Sequence, residues 1–267
     1  MGQKYIFKDE VFVGYLKNGW YVSDKNWSSV KLNFKETNDG WELVSPQEVI
    51  DSVVDIDCAE SHIKDISWIW NFKNLEGLHL KNNKITNLPP EIENLTNLKV
   101  LWLWGNKLTS LPPEIGKLTR LEELYLWGNK LETLPPEIWN LKNLTYLNLE
   151  ENNLTSLPKE IGNLENLTYL NLEENYLTSL PKEIGNLEKL EILNLNRNKL
   201  TELPKEIGNL TKLKKLLVKS NNLTTFPIEM KNLKNLEILD VWNNLLVKIP
   251  KEIVSLPKLK IIEEPSS

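Results

Sequence analysis

One asparagine returns every 23 residues: Asn83, Asn106, Asn129, Asn152, Asn175, Asn198, Asn221 and Asn244. Each stands in the frame L-x-x-L-x-[LV]-x-x-N-x-[LI], which opens on Leu75, Leu78, Leu80, Asn83 and Ile85 and closes on Leu236, Leu239, Val241, Asn244 and Leu246. Prolines keep the same step from Pro89 to Pro250. A fixed period of this length means one short unit stacked many times. Each copy buries its apolar face on its neighbours because it cannot do so alone. A chain built this way has an extended array of cores, not one compact core.

The unit can be read locally. The x-L-x-L run has period 2, which predicts a strand with its leucines on one side. Stacked copies repeat one strand direction, so the sheet is parallel. The asparagine follows the strand where the chain turns, and its amide offers both a donor and an acceptor to backbone groups that need partners. The return limb opens on proline, whose fixed φ suits the start of a short helical turn. Its Ile and Leu, three apart, point inward.

This frame, with its L-P-x-E-I-x-x-L-x-x-L limb, resembles the leucine-rich repeat family, in the variety seen in bacterial members and in intracellular Ras-pathway scaffolds. The resemblance runs from Val53 to about Ile262. It implies an α/β solenoid shaped as a horseshoe. The parallel β-sheet lines the concave face, short helical or 3-10 turns form the convex side, and an asparagine ladder runs between them. It also implies recognition as the role, since leucine-rich repeats generally serve it.

The predicted organisation is residues 1–52 as a β-rich N-terminal cap or small module and 53–267 as the repeat array. Residues 53–74 form a degenerate first repeat (Val53, Ile56, Cys58, Ser61 and Ile63, with Ser61 in place of Asn), 75–258 form eight repeats of 23, and 259–267 form a partial C-terminal repeat. Residues 143–165 and 166–188 differ only by Asn153 against Tyr176, the mark of a recent duplication or a consensus-built array. Before Val53, Asn18-Gly19 and Asn38-Asp39-Gly40 each signal a hairpin turn. Ser45-Pro46-Gln47-Glu48 reads as a capping box opening a helical turn. Solenoids need covered ends, which favours a cap over a separate binding module.

Chemistry has little to work with. The chain holds one cysteine, Cys58, and two histidines, His62 and His79. Cys58 falls on an inward leucine position and reads as a small core residue. No phosphate-binding glycine loop is present, so neither an enzyme nor a cofactor is expected. Asp55, Asp57 and Glu60 could gather a hard cation, though a solvated face is the plainer reading. Lys+Arg 32 against Asp+Glu 37 gives −5, mixed in sign along the chain, which argues against a nucleic-acid partner. No run of 18 apolar residues occurs, so membrane insertion is not expected. The start lacks a signal-peptide pattern. A cytoplasmic location is expected if Met1 is native, and secretion if a leader was removed. The N-x-[ST] triplets follow from the repeat consensus.

The informative positions are the variable residues that alternate with the inward leucines and project from the concave face. The first column runs Gly77, Val100, Glu123, Tyr146, Tyr169, Ile192, Lys215, Ile238. The second runs His79, Trp102, Tyr125, Asn148, Asn171, Asn194, Leu217, Asp240, and the third Lys81, Trp104, Trp127, Glu150, Glu173, Asn196, Lys219, Trp242. Column neighbours stand ~4.8 Å apart. Trp102, Trp104, Tyr125, Trp127, Tyr146 and Tyr169 therefore gather into one patch, with Glu150, Glu151, Glu173 and Glu174 as an acidic strip beside it. Gly105 and Gly128 would leave space above Trp104 and Trp127. At ~150–250 Å² per ring the patch offers roughly 900–1,500 Å² gross. Mutual stacking hides about half, which leaves an area near the ~800 Å² per partner of a standard interface.

The reading is a non-enzymatic module binding a protein or peptide, with the acidic strip favouring a basic one. Two alternatives stay open. One is a glycan or small-ligand receptor using the tryptophans with Asn148, Asn171 and Asn194. The other is a sensor fragment of a larger signalling protein. A cross-strand ladder that only stabilises the sheet is the plainer account of the same rings. Trp68, Trp70 and Trp139 read as packing residues.

Overall fold

A computed structural model describes residues 21–24, 34–37, 40–60, 66–246 and 248–263. In chain order the strands are β1 (Tyr21–Asp24), β2 (Phe34–Thr37), β3 (Gly40–Leu43) and, after helix α1 (Gln47–Ser52), β4 (Val53–Asp57). One strand per repeat follows: β5 (Gly77–His79), β6 (Val100–Trp102), β7 (Glu123–Tyr125), β8 (Tyr146–Asn148), β9 (Tyr169–Asn171), β10 (Ile192–Asn194), β11 (Lys215–Leu217) and β12 (Ile238–Asp240). Helix α2 (Lys251–Val254) and β13 (Lys260–Ile262) close the array.

β4 to β13 form a parallel sheet in sequence order, with β1 added antiparallel at the β4 edge. Registers are those the period requires: Leu78 lies beside Leu101, Leu101 beside Leu124, and Leu147 beside Leu170. These leucines are fully buried, as are the inward residues of the return limbs such as Ile115 and Leu118. The limbs are five-residue 3-10 turns, for example Pro113–Lys117, entered from an extended proline (Pro112, φ −72, ψ 149). Within that turn Ile115 N donates to Pro112 O and Leu118 N to Ile115 O. The leucine-rich solenoid expected from the period is the fold observed.

The asparagine ladder is complete in its hydrogen bonding. The Asn152 amide Nδ2 donates to Leu149 O (3.1 Å) and Glu150 O (3.1 Å) of its own turn and to Leu126 O (3.0 Å) of the preceding repeat. Its Oδ1 accepts from Leu131 N at 3.0 Å. The same set recurs at Asn106, Asn175, Asn198 and Asn221. Each amide therefore ties consecutive repeats together.

At the N-terminal end β2 and β3 pair antiparallel, closing at Thr37 beside Gly40 as the second hairpin signal predicts. Its Asn38-Asp39, the Asn18-Gly19 signal, Ser61, His62 and Ile63 lie outside the described residues. Pro46 occupies the N-cap of α1 and makes no side-chain cap bond, one residue later than a Ser45 cap requires. Cys58, Trp68, Trp70 and Trp139 are buried. Burial, with Asp57 and Asp55 nearby, pushes the Cys58 thiol well above its ordinary pKa, as suits an unreactive core residue.

Candidate functional site

The parallel ladder brings the predicted rings together. Trp104 and Trp127 stack at 4.6 Å between centroids, 16° from parallel. Tyr125, Tyr146 and Tyr169 stack in one run, at 4.5 Å and then 4.2 Å. The run crosses from the second column to the first between β7 and β8. Trp102 joins it edge-on at 5.6 Å from Tyr125, and His79 meets Trp102 edge-on at 4.3 Å. All six aromatic side chains are half-buried. Because ring planes face one another along the sheet, the stacks present edges, not faces, to the concave space. The Trp102 indole N–H is itself buried and without an acceptor among the described residues, so Trp102 underlies the patch more than it lines it.

The phenols are drawn into the sheet's polar network. Tyr125 donates to Glu123 Oε2 at 3.0 Å. Burial, and then that bond, push its pKa up to about 12. Burial, followed by hydrogen bonding with Tyr169, raises Tyr146 as well. Both remain neutral hydroxyls across the physiological range.

The acidic strip is more structured than a row of free charges. Asn171 Nδ2 donates to Glu150 Oε2 at 2.8 Å, and Asn194 Nδ2 to Glu173 Oε2 at 2.8 Å. Glu174 is ion-paired with Arg197, whose Nε also lies 4.0 Å from Glu173. Burial raises the pKa of Glu150, helped by the Glu173 charge. Glu151 is exposed. Arg197 occupies the repeat position of Glu151 and Glu174, one after the third column. The 23-residue step alone would have found it.

Three other groups were missed or misread. Lys81 Nζ sits 5.4 Å from both the Trp102 and Trp104 rings, closing one end of the patch. Lys219 lies over Trp242 at 3.9 Å, away from the patch. Gly105 and Gly128 have a backbone role. They take the left-handed turn (φ +67 and +65) that Asn82, Glu151, Glu174, Arg197, Ser220 and Asn243 take in other repeats, and a Cβ on Gly105 would meet Asn82 Oδ1 at 2.2 Å.

The acidic groups of the first repeat are used within the protein. Asp55 bonds His79 Nε2 at 3.0 Å, Asp57 accepts from Ala59 N at 2.9 Å, and Glu60 accepts from Asn82 Nδ2 at 3.3 Å. Among the described residues no group of three or more His, Cys, Asp or Glu could hold a metal ion, and no helix is long and apolar enough to cross a membrane.

Comparison with known proteins agrees with this geometry. The family described as leucine-rich repeat region matches residues 44–144 and 158–264, and a leucine-rich repeat family matches 119–177. The chain belongs to the leucine-rich repeat family, whose members are generally non-enzymatic recognition modules. It is similar to a leucine-rich repeat protein of Leptospira interrogans at 34% identity and TM-score 0.73, covering 97% of this chain and 70% of that one. It is also similar to the ectodomain of the Arabidopsis thaliana membrane receptor kinase GASSHO1/SCHENGEN3, solved in complex with CASPARIAN STRIP INTEGRITY FACTOR 2. There the identity is 28% and the TM-score 0.64, over 95% of this chain and 35% of that one. The functional domain of InlJ from Listeria monocytogenes matches at 26% and 0.65, over 84% of this chain and 51% of that one. The chain thus spans about a third to a half of the receptor and InlJ structures. No curated protein matches.

Proposed function

We propose that this chain is a non-enzymatic recognition module that binds a protein or peptide on its concave sheet face. Trp104, Trp127 and Tyr125 are the anchors, Trp102 supports them, and Tyr146 and Tyr169 extend the surface. Glu150, Glu151, Glu173 and Glu174 favour a basic segment beside the rings, with Arg197 holding Glu174 in place. The observation that carries this reading is the gathering of six half-buried aromatic side chains on the side-chain face of a rigid sheet, since Trp and Tyr are the usual interface anchors. Similarity to a plant receptor ectodomain solved with a bound partner supports it.

The glycan alternative is weakened by the stacking. A sugar packs on a ring face, and here the faces of Trp104 and Trp127 meet each other while those of Tyr146 meet its neighbours. Lys81 lies near the remaining side of Trp104.

The test uses wild type and a Trp104→Ala/Trp127→Ala double variant as baits in parallel pull-downs and on a glycan array. A protein ligand retained by wild type and lost by the variant, with affinity that falls as salt rises, is expected. Equal recovery by both proteins would sink the concave-face reading, and salt-insensitive glycan capture would transfer it to the alternative.

A further inference from the structure

We propose that the segment read on this face is a proline-rich polyproline II helix with a basic residue at one end; the inference rests on the concave-face reading above. The first argument is spacing. Along the tyrosine run the centroids step by 4.5 Å and then 4.2 Å, so Tyr125 and Tyr169 stand on the order of 9 Å apart, near twice the ~4.8 Å strand separation. A polyproline II helix has three residues per turn and a rise of ~3.1 Å, hence a turn of about 9.3 Å. Residues three apart in such a ligand meet Tyr125 and then Tyr169, two repeats on. An extended strand returns to the same face after ~6.7 Å and falls out of step within one repeat pair. An α-helix advances ~5.4 Å per turn and slips by roughly 1 Å at each ring.

The second argument is hydrogen bonding. The stacks turn their edges outward, and an indole edge is a donor. Among the described residues no group accepts from the indole N–H of Trp104 or Trp127, and neither N–H is buried. A matching ligand must bring acceptors. An α-helix has spent its carbonyls internally. An added β-strand needs a free sheet edge, whereas β6 to β9 lie inside the sheet with both neighbours paired. Polyproline II leaves its backbone carbonyls unbonded and is already ordered before it docks, which lowers the entropic cost. Aromatic grooves are the surfaces that recognise this conformation elsewhere.

The third argument is charge. Glu150 and Glu173 follow Trp127 in the third column, with exposed Glu151 alongside. Lys81 stands at the opposite end of the Trp stack. The patch therefore has a sign at each end and places the ligand's cation beside Glu150 and Glu151. Four strands span about 14 Å, enough for roughly five residues of the ligand.

The experiment measures fluorescence anisotropy with two labelled peptides of equal length and charge. One carries Pro-Pro-Ala triplets and a terminal arginine, and in the other threonine replaces every proline. The proline peptide is expected to bind at least ~10-fold tighter than the threonine peptide. Trp104→Phe/Trp127→Phe, which keeps rings but removes both N–H donors, is expected to weaken it by roughly 10-fold. Trp104→Ala/Trp127→Ala should abolish binding. If both peptides bind equally and both are lost in the alanine variant, the polyproline inference is overturned and the concave-face reading stands. If the proline peptide binds the alanine variant as well as wild type, both fall. If it shows no saturable binding while aromatic-dependent capture of a protein persists, the inference alone is overturned.

Discussion

The amide of Asn152 serves three carbonyls and one N–H, and those groups belong to two repeats. Asn152→Ala removes the donors and acceptor together: Leu131 N loses its acceptor, while Leu126 O and Leu149 O each lose one of two amide donors and keep Asn129 and Asn175 respectively. The expected cost is about 1–3 kcal/mol, read as a lowered denaturant midpoint. A change under about 0.5 kcal/mol would contradict the ladder's structural role. This role was legible because a polar residue kept strict register inside a leucine frame. The stacking planes of the six rings were not, since column position fixes which residues are neighbours but not their rotamers. Nor was the state of Glu150. Its raised pKa means that the folded chain holds that proton to a higher pH than the unfolded chain does. The group therefore has no effect below the ordinary glutamate value of ~4.3 and disfavours the fold increasingly as pH rises through the raised value. Glu150→Gln keeps an oxygen for Asn171 and removes the charge. It should stabilise the protein slightly at pH 7, by less than ~1 kcal/mol because the site is half open to solvent, and by nothing near pH 4. Thermal melts at both pH values check this, and equal shifts at both would contradict it.

Among the elements, the strands and 3-10 turns follow from the period, and the parallel sheet follows from the strands. The N-terminal arrangement does not. Sequence signals there are local turn chemistry, and they say which strands are adjacent in sequence, not which edge a strand joins. The described result is that β1 runs antiparallel along β4, with Tyr21 beside Asp57 and Val22 beside Ile56. Without β1, the backbone of β4 would be an open edge next to a fully apolar core of Val53, Ile56 and Trp68. Open edges pair with other chains. Removal of residues 1–44 should therefore give a protein that associates with rising concentration and melts earlier. Light scattering after size exclusion measures the first effect and a thermal melt the second. A monomer of unchanged stability would show that β4 needs no cover.

For the whole molecule, the period gives stability as a sum of repeats and their junctions. The duplicated pair lets this be tested by subtraction. Residues 143–165 and 166–188 differ only at Asn153 and Tyr176, so deleting 166–188 joins the first copy to the next repeat through a nearly unchanged junction. Asn194 then faces Glu150 as it faced Glu173, Asn198 faces Leu149 as it faced Leu172, and Arg197 meets Glu151 in place of Glu174. The one interaction with no replacement across the junction is Lys199 over the Tyr176 ring. The shortened chain should fold, unfold in one transition and show a denaturant m-value lower by about a tenth, in proportion to the surface removed. On the concave face the same deletion ends the tyrosine run at Tyr146 and leaves both tryptophans stacked, so a ligand anchored on Trp104 and Trp127 should bind more weakly yet still bind. Complete loss of binding with the fold intact would move the anchor to Tyr169. Loss of cooperative unfolding would mean that the repeats are not the independent units their period implies.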